Sequence, residues 1–226
     1  MKEFGHEYNG VKINSFMISN YFDLVNVKIL QIKNFLSLDE CHKVREFALY
    51  NIYPKMVKQF ELVEGNGTFI GGGVKFRSIL DYIDQGCKLD IVKRIQSVVD
   101  SYSNEQNLRD SKLTHSWMYW QNKGGNLKFH NHLRPVLPEN EEFVPTVHGV
   151  LAGALYINVP ENSSNLEFLQ PIEEHKKIFK EQPKTVFEPE TGTLLLFPCY
   201  LMHGGESVNQ VPQRIVIGFG TIGDIT

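Results

Sequence analysis

The chain is short of cysteine, of long apolar stretches and of any surplus of one charge, and each shortage removes a class of protein. Its three cysteines, Cys41, Cys87 and Cys199, lie far apart and form no C-x-x-C pair. Neither a disulfide framework nor a thiolate zinc site is indicated, and all three are expected to be reduced and mostly buried. No apolar run approaches the ~20 residues needed to span a bilayer, and the start, Met1-Lys2-Glu3-Phe4-Gly5-His6-Glu7, is not a secretory-leader pattern. A soluble, cytoplasmic protein without a membrane partner is the expectation. Lys and Arg number 23 against 26 Asp and Glu, a net charge of −3. Such a chain has no basic field to hold a phosphate backbone, which sets bulk nucleic acid aside as a partner. Repeats, low-complexity tracts and a repeated aromatic platform for sugars are also missing. Nothing in the sequence specifies an oligomeric state.

What is present is ordinary globular composition, 42% hydrophobic and 22% charged over 226 residues, enough for one substantial core. Residues 1–110 mix helical patterns with short strands, whereas residues 111–226 read almost entirely as β. Ser37-Leu38-Asp39-Glu40 is a capping box that opens a helix to about Tyr50, with Leu38, Cys41, Val44 and Ala48 on one face. A second helix is expected over Leu89–Tyr102, where Leu89, Val92, Ile95, Val99 and Tyr102 keep the helical period. Gly65 to Gly73 is glycine-rich but matches no phosphate-binding fingerprint and reads as a loop. Strands are expected at Leu113–Asn122, Gly149–Val159, Asn165–Leu169, Thr193–Pro198 and Arg214–Ile222, between turn-rich segments. The fold class is therefore mainly β with flanking helices (α+β), an antiparallel sandwich or barrel of jelly-roll kind.

His130-Asn131-His132 sets two imidazoles two positions apart, on the same side of an extended chain, where both can converge on one ion. On its own an H-x-H pair is more often a polar loop mouth. Downstream, His203 follows the apolar run Thr193–Pro198, and Arg214 follows after ten intervening residues at the head of the last apolar strand. An arginine opening a buried strand needs an anion to offset its desolvation. If it points inward, Val216, Gly218 and Gly220 follow it, small residues that leave room for a carboxylate beside the guanidinium.

This order of residues, with Gly192-Thr193-Leu194-Leu195-Leu196-Phe197-Pro198 before His203, resembles the iron(II)- and 2-oxoglutarate-dependent oxygenases. Phe35-Leu36-Ser37 through Glu40-Cys41 is similar to the helix start of prolyl-hydroxylase-like members. Trp120 to Gly125 is similar to the strand and turn before their first ligand, and Leu151 to Ile157 to a strand of oxygenase-like proteins in bacteria and their phages. The likeness covers most of the chain and is strongest from Trp117 onward. It implies one oxygenase domain over 1–226, with 1–110 as support and 111–226 as a double-stranded β-helix (jelly-roll, cupin-like) core. It further implies Fe(II), 2-oxoglutarate as co-substrate and dioxygen, with His130 and His203 as iron ligands and Arg214 holding the distal carboxylate of the keto acid.

The departure is at the second ligand, where the family supplies a carboxylate and this chain has His132. Three arrangements stay open: His130, His132 and His203 together; two histidines with His132 behind them; or a carboxylate from elsewhere, with Glu139, Glu141 and Glu142 nearest. Val216 also stands where the family often has a serine contacting the co-substrate, a contact that Tyr119 or Tyr156 could replace. The polar segment Leu133–Val147 is a candidate lid, and Arg134 within it a candidate contact for an anionic substrate. His6, His42, His115 and His175 are taken as structural or surface residues, His148 as an outer neighbour of the site at most, and the face shared by His115, Trp117 and Tyr119 as core. The expected substrate is a small molecule or an amino-acid or peptide side chain. Two competitors remain: a three-histidine cupin-like dioxygenase that needs no 2-oxoglutarate, and a non-catalytic jelly-roll binding module.

Overall fold

A computed structural model describes residues 3–8, 11–19, 26–54, 68–70, 79–108, 110–121, 127–133, 147–169, 184–205 and 213–224. Its strands are β1 Glu3–Tyr8, β2 Val11–Ser19, β3 Asn26–Ile32, β4 Thr68–Ile70, β5 Ser111–Gln121, β6 Leu127–His130, β7 Val147–Asn158, β8 Leu166–Leu169, β9 Lys184–Phe187, β10 Leu194–Pro198, β11 His203–Gly205 and β12 Arg214–Asp224. They form an eight-stranded sheet, β1-β2-β3-β10-β7-β12-β5-β4, and a four-stranded sheet, β6-β11-β8-β9. From β5 onward the chain passes back and forth between the two sheets, and the described pairings are antiparallel. That winding is the double-stranded β-helix.

The central strands of the large sheet, β10, β7 and β12, are buried on both faces, and strand parity divides their side chains between two cores. Leu194 and Leu196 of β10, Leu151, Leu155 and Ile157 of β7, and Ile215, Ile217 and Phe219 of β12 pack toward the helices. Leu195 and Phe197, Ala152 and Tyr156, and Val216 face the small sheet. This double burial is why these segments read as nearly continuous apolar runs.

Among the described residues, three helices cover the outer face: α1 Leu38–Phe47, α2 Ile79–Cys87 and α3 Ile91–Glu105. The capping box at the head of α1 is formed, with Glu40 N donating to Ser37 Oγ at 3.2 Å and Ser37 N to Glu40 Oε2 at 2.8 Å. The helix then continues into a π-helical turn, Ala48–Ile52. Arg94 of α3 reaches back to Glu40 at 2.8 Å and donates to the Phe35 carbonyl, locking α1 to α3. Helix α3 starts at Ile91 because Asp84 of α2 caps it from outside, its two carboxylate oxygens each 2.8 Å from the amides of Ile91 and Val92.

The short helix α2 has no counterpart in the sequence reading, and Gly86 explains why. Its would-be Cβ lies 2.1 Å from the Phe47 ring, so only glycine lets α2 approach α1 that closely. The same glycine reads as a helix breaker in sequence. Of the glycine-rich stretch, only residues 68–70 are described, as β4 on the edge of the large sheet.

Candidate metal centre

The histidines are assembled by the small sheet. Strands β6 and β11 pair so that His203 stands directly opposite His130, which places both imidazoles on one face with their ring centroids 4.4 Å apart. His132 lies just beyond β6, where its backbone amide donates to the Cys199 carbonyl at 2.7 Å and pins this turn to the end of β10. Its Nε2 comes within 3.2 Å of His203 Nε2. One ligand atom from each of His130, His132 and His203 lies within 4.8 Å of the others.

The outer nitrogens fix the tautomers. His130 Nδ1 is 2.8 Å from the Lys128 carbonyl and His203 Nδ1 is 2.9 Å from the Leu201 carbonyl. A carbonyl only accepts, so each Nδ1 carries the proton and each Nε2 presents a lone pair. Two imidazole nitrogens at right angles around an ion ~2.1 Å away stand ~3 Å apart, close to the observed His132–His203 separation. Burial, aided by the neighbouring His203, His130 and His115, drives the His132 pKa down to about 3. Burial and His130 drive His203 down to about 4. Near neutral pH both are uncharged and ready to ligate. The donor set suits a divalent transition metal such as iron(II), and no carboxylate joins the cluster among the described residues.

Arg214 lines the same cavity, which holds about 100 Å³ and opens to solvent. It is only 4% exposed. At the head of β12 it stands opposite Gln121 of β5, and its Nη1 donates to Gln121 Oε1 at 2.7 Å and to Ser164 Oγ at 2.9 Å. The guanidinium carbon sits 5.6 Å from the Tyr156 ring centroid. Buried Nε has no partner among the described residues, and none of their carboxylates pairs with this cation. Burial lowers the Arg214 pKa and pushes that of the Tyr156 phenol up to about 12. A buried cation with an unsatisfied donor and no counter-ion fits an anionic ligand, as a keto-acid carboxylate would be.

The inner face of the large sheet forms the floor as three cross-strand rows. Arg214 pairs with Gln121; Val216 lies between Tyr119 and Tyr156; Gly218 lies between Trp117 and Ala154. Val216 and Gly218 follow Arg214 inward, as strand period requires. The room expected at the glycines is nevertheless taken. A Cβ on Gly218 would stand 2.5 Å from the Trp117 indole, and one on Gly220 would stand 2.5 Å from the His115 ring. Trp117 in turn packs against His132, ring centroids 5.3 Å apart, and stacks on His115 at 5.6 Å. The face read as core is thus cavity wall at Trp117 and Tyr119, with the His115 ring behind it.

Of the residues singled out in the sequence, His130, His132, His203, Arg214, Tyr119 and Tyr156 meet around this cavity. Arg134, Glu139, Glu141 and Glu142, the lid beyond Leu133, His175 and the side chains of His6 and His148 lie outside the described residues. His42 is exposed on α1. Trp117 as a wall, Gln121 and Ser164 escaped the sequence reading. Gln121 was within reach, since it continues the Trp117, Tyr119 alternation; Ser164, in a turn, carries no pattern.

Residues 146–220 match the model of a family described as "Putative 2OG-Fe(II) oxygenase". No curated protein sequence matches the chain. Among solved structures, AviO1 from Streptomyces viridochromogenes Tue57 superposes with a TM-score of 0.57 at 11% identity, covering 87% of this chain and 89% of that one. The non-haem alpha-ketoglutarate-dependent epimerase SnoN from nogalamycin biosynthesis gives 0.55 at 10% identity, over 87% and 77% of the two chains. The viral collagen prolyl hydroxylase of Paramecium Bursaria Chlorella virus-1, in its 2OG complex, gives 0.50 at 13%, over 86% and 96%. In sequence over about a third of its length, and in fold over most of it, the chain is similar to the iron(II)- and 2-oxoglutarate-dependent oxygenases.

Proposed function

We propose that the chain, acting as one oxygenase domain, couples the oxidative decarboxylation of 2-oxoglutarate to the hydroxylation or related oxidation of a C–H bond in a small molecule or an amino-acid or peptide side chain. The observation that carries this is the convergence of His130, His132 and His203 on one point in a cavity that also holds Arg214 without a described counter-ion. In this reading the three histidines hold iron(II) through Nε2, with the Lys128 and Leu201 carbonyls fixing the rings of His130 and His203. Arg214 receives the distal carboxylate of 2-oxoglutarate, and Tyr119 and Tyr156 flank the keto acid. Phe197, whose ring centroid is 4.7 Å from that of His203, and Trp117 keep water from the centre. Bound iron(II) with 2-oxoglutarate and dioxygen supplies the oxidant: one oxygen atom goes to the substrate, the other to succinate, and carbon dioxide leaves.

The test is an anaerobic titration of the metal-free protein with iron(II), with and without 2-oxoglutarate, following the visible charge-transfer band of a chelated keto acid. The expected band needs both additions and is lost in His203→Ala. One observation favours a second reading: the close His132–His203 pair makes a neutral three-histidine set, the ligand set of dioxygenases that need no keto acid. Arg214 would then hold the substrate's own carboxylate. Dioxygen consumption without added 2-oxoglutarate, and without succinate, selects that alternative.

A further inference from the structure

Arg214 is buried beside acceptors that bond one end of its guanidinium without cancelling its charge. Both N–H bonds of Nη1 are spent, one on the Gln121 amide oxygen and one on the Ser164 hydroxyl. Gln121 is fully buried and Ser164 nearly so. The Tyr156 hydroxyl also bonds to the guanidinium, and Nε is the atom without a described partner, so a carboxylate has the Nε edge, beside that phenol. A carboxylate at position 121 would hydrogen-bond equally well, but it would neutralise the guanidinium in a place where water screens nothing.

We propose that Gln121 and Ser164 are positioning residues that keep Arg214 an anion receptor instead of a structural ion pair, by occupying Nη1 with neutral acceptors and presenting the Nε edge, with its charge intact, to the ligand's carboxylate. Ser164 enters from the connection between β7 and β8, so it also ties that connection to the large sheet at the arginine end of the cavity. This inference rests on the keto-acid reading of the cavity and names the residues that set its affinity.

Charge and hydrogen bonding pull in opposite directions at position 121, which separates this role from a merely structural one. Gln121→Glu preserves shape and gives the buried cation a partner, so the ligand-free protein melts at or above the wild-type temperature, while the affinity for 2-oxoglutarate falls on the order of 100-fold. Gln121→Leu strands one Nη1 proton, so the protein melts lower, yet the charge survives and affinity falls by less than about tenfold. Ser164→Ala loses a smaller factor, which Ser164→Thr restores.

The experiment is calorimetric titration of the full chain, loaded with manganese(II), with 2-oxoglutarate, alongside thermal melts of the ligand-free variants. Metal affinity is expected to be unchanged throughout. A Gln121→Glu protein that binds 2-oxoglutarate within about threefold of wild type overturns the inference, as does a Gln121→Leu protein that loses as much affinity as Gln121→Glu. Wild-type protein that takes the metal but no 2-oxoglutarate overturns the keto-acid reading itself, and this inference with it.

Discussion

Gly218 offers a way to move the metal centre without touching a ligand. A methyl group there would lie 2.5 Å from Trp117 Cε2 and 2.6 Å from Cζ2 and Nε1. Ordinary carbon contacts are ~3.5–4.0 Å, so Gly218→Ala forces the indole outward by about 1 Å or bends β12. Overpacking of this size costs ~1–3 kcal/mol. For a chain of this length that lowers the melting temperature by roughly 2–12 °C, at about 2–4 °C per kcal/mol. The indole's next neighbour is His132, so the disturbance passes to the ligand whose Nε2 sits 3.2 Å from that of His203. The assay combines a thermal melt, metal affinity by calorimetry and tryptophan fluorescence. Only two tryptophans contribute to the emission, and Trp120 points to the opposite face, beside Tyr53. Metal-dependent quenching therefore reports Trp117. Gly218→Ala is expected to weaken metal binding, shift the emission and lower the melting temperature together. In a Trp117→Ala background the same substitution should cost under about 0.5 kcal/mol, because its collision partner is gone. Unchanged stability, emission and metal affinity in Gly218→Ala would refute the placement of Trp117 between β12 and His132.

Three further outcomes are expected. His132→Ala should weaken binding of a divalent metal by more than the ~10–100-fold that an outer neighbour of a metal site is worth, read by calorimetry; a smaller loss would return His132 to a supporting position. Asp84→Ala removes the carboxylate that caps the first amides of α3 and should cost ~1–2 kcal/mol, seen as a lower urea midpoint with an unchanged slope. Burial alone would raise the Glu40 pKa, but the Ser37 amide and Arg94 outweigh it and hold the carboxyl below the usual value of 4.5. Its contribution to stability is therefore fully present above about pH 4.5 and is lost as pH falls through the depressed value. Melts of wild type and Glu40→Gln should differ near neutrality and converge in acid, and a constant gap across that range would contradict the assignment.

Strands β7, β10 and β12 were legible because burial on both faces makes them apolar and because turn-rich segments bound them, whereas the short β6, β9 and β11 of the small sheet carry no such run and were not expected. The expected Arg214–Ile222 and Gly149–Val159 became β12 and β7 with ends displaced by a residue or two, the usual blur of element boundaries. The capping box announced α1 for a similar reason, since its two reciprocal bonds involve neighbours in sequence. The start of α3 was misplaced at Leu89 because its cap comes from Asp84, a residue of the preceding helix. Local patterns encode local contacts, and this one is not local.

The same distinction runs through the site. His130 and His132 share a segment, and His203 and Arg214 open or follow apolar strands, so each had a sequence context that marked it. Gln121 and Ser164 meet Arg214 from 93 and 50 positions away, and neither has a residue type that signals chemistry. Trp117 was misread for a different reason. Its alternation with His115 and Tyr119 is the same whether the face meets a packed core or a cavity wall, and only the second sheet decides which. On β12 the alternation settles the matter physically. Ile215, Ile217 and Phe219 bind the strand to the helices, and that anchoring leaves Arg214, Val216 and Gly218 free to be chosen for what the cavity must hold. A substitution on the outward parity should therefore act through stability, and one on the inward parity through ligand or metal affinity, with Gly218 coupling the two because its missing side chain is where Trp117 rests.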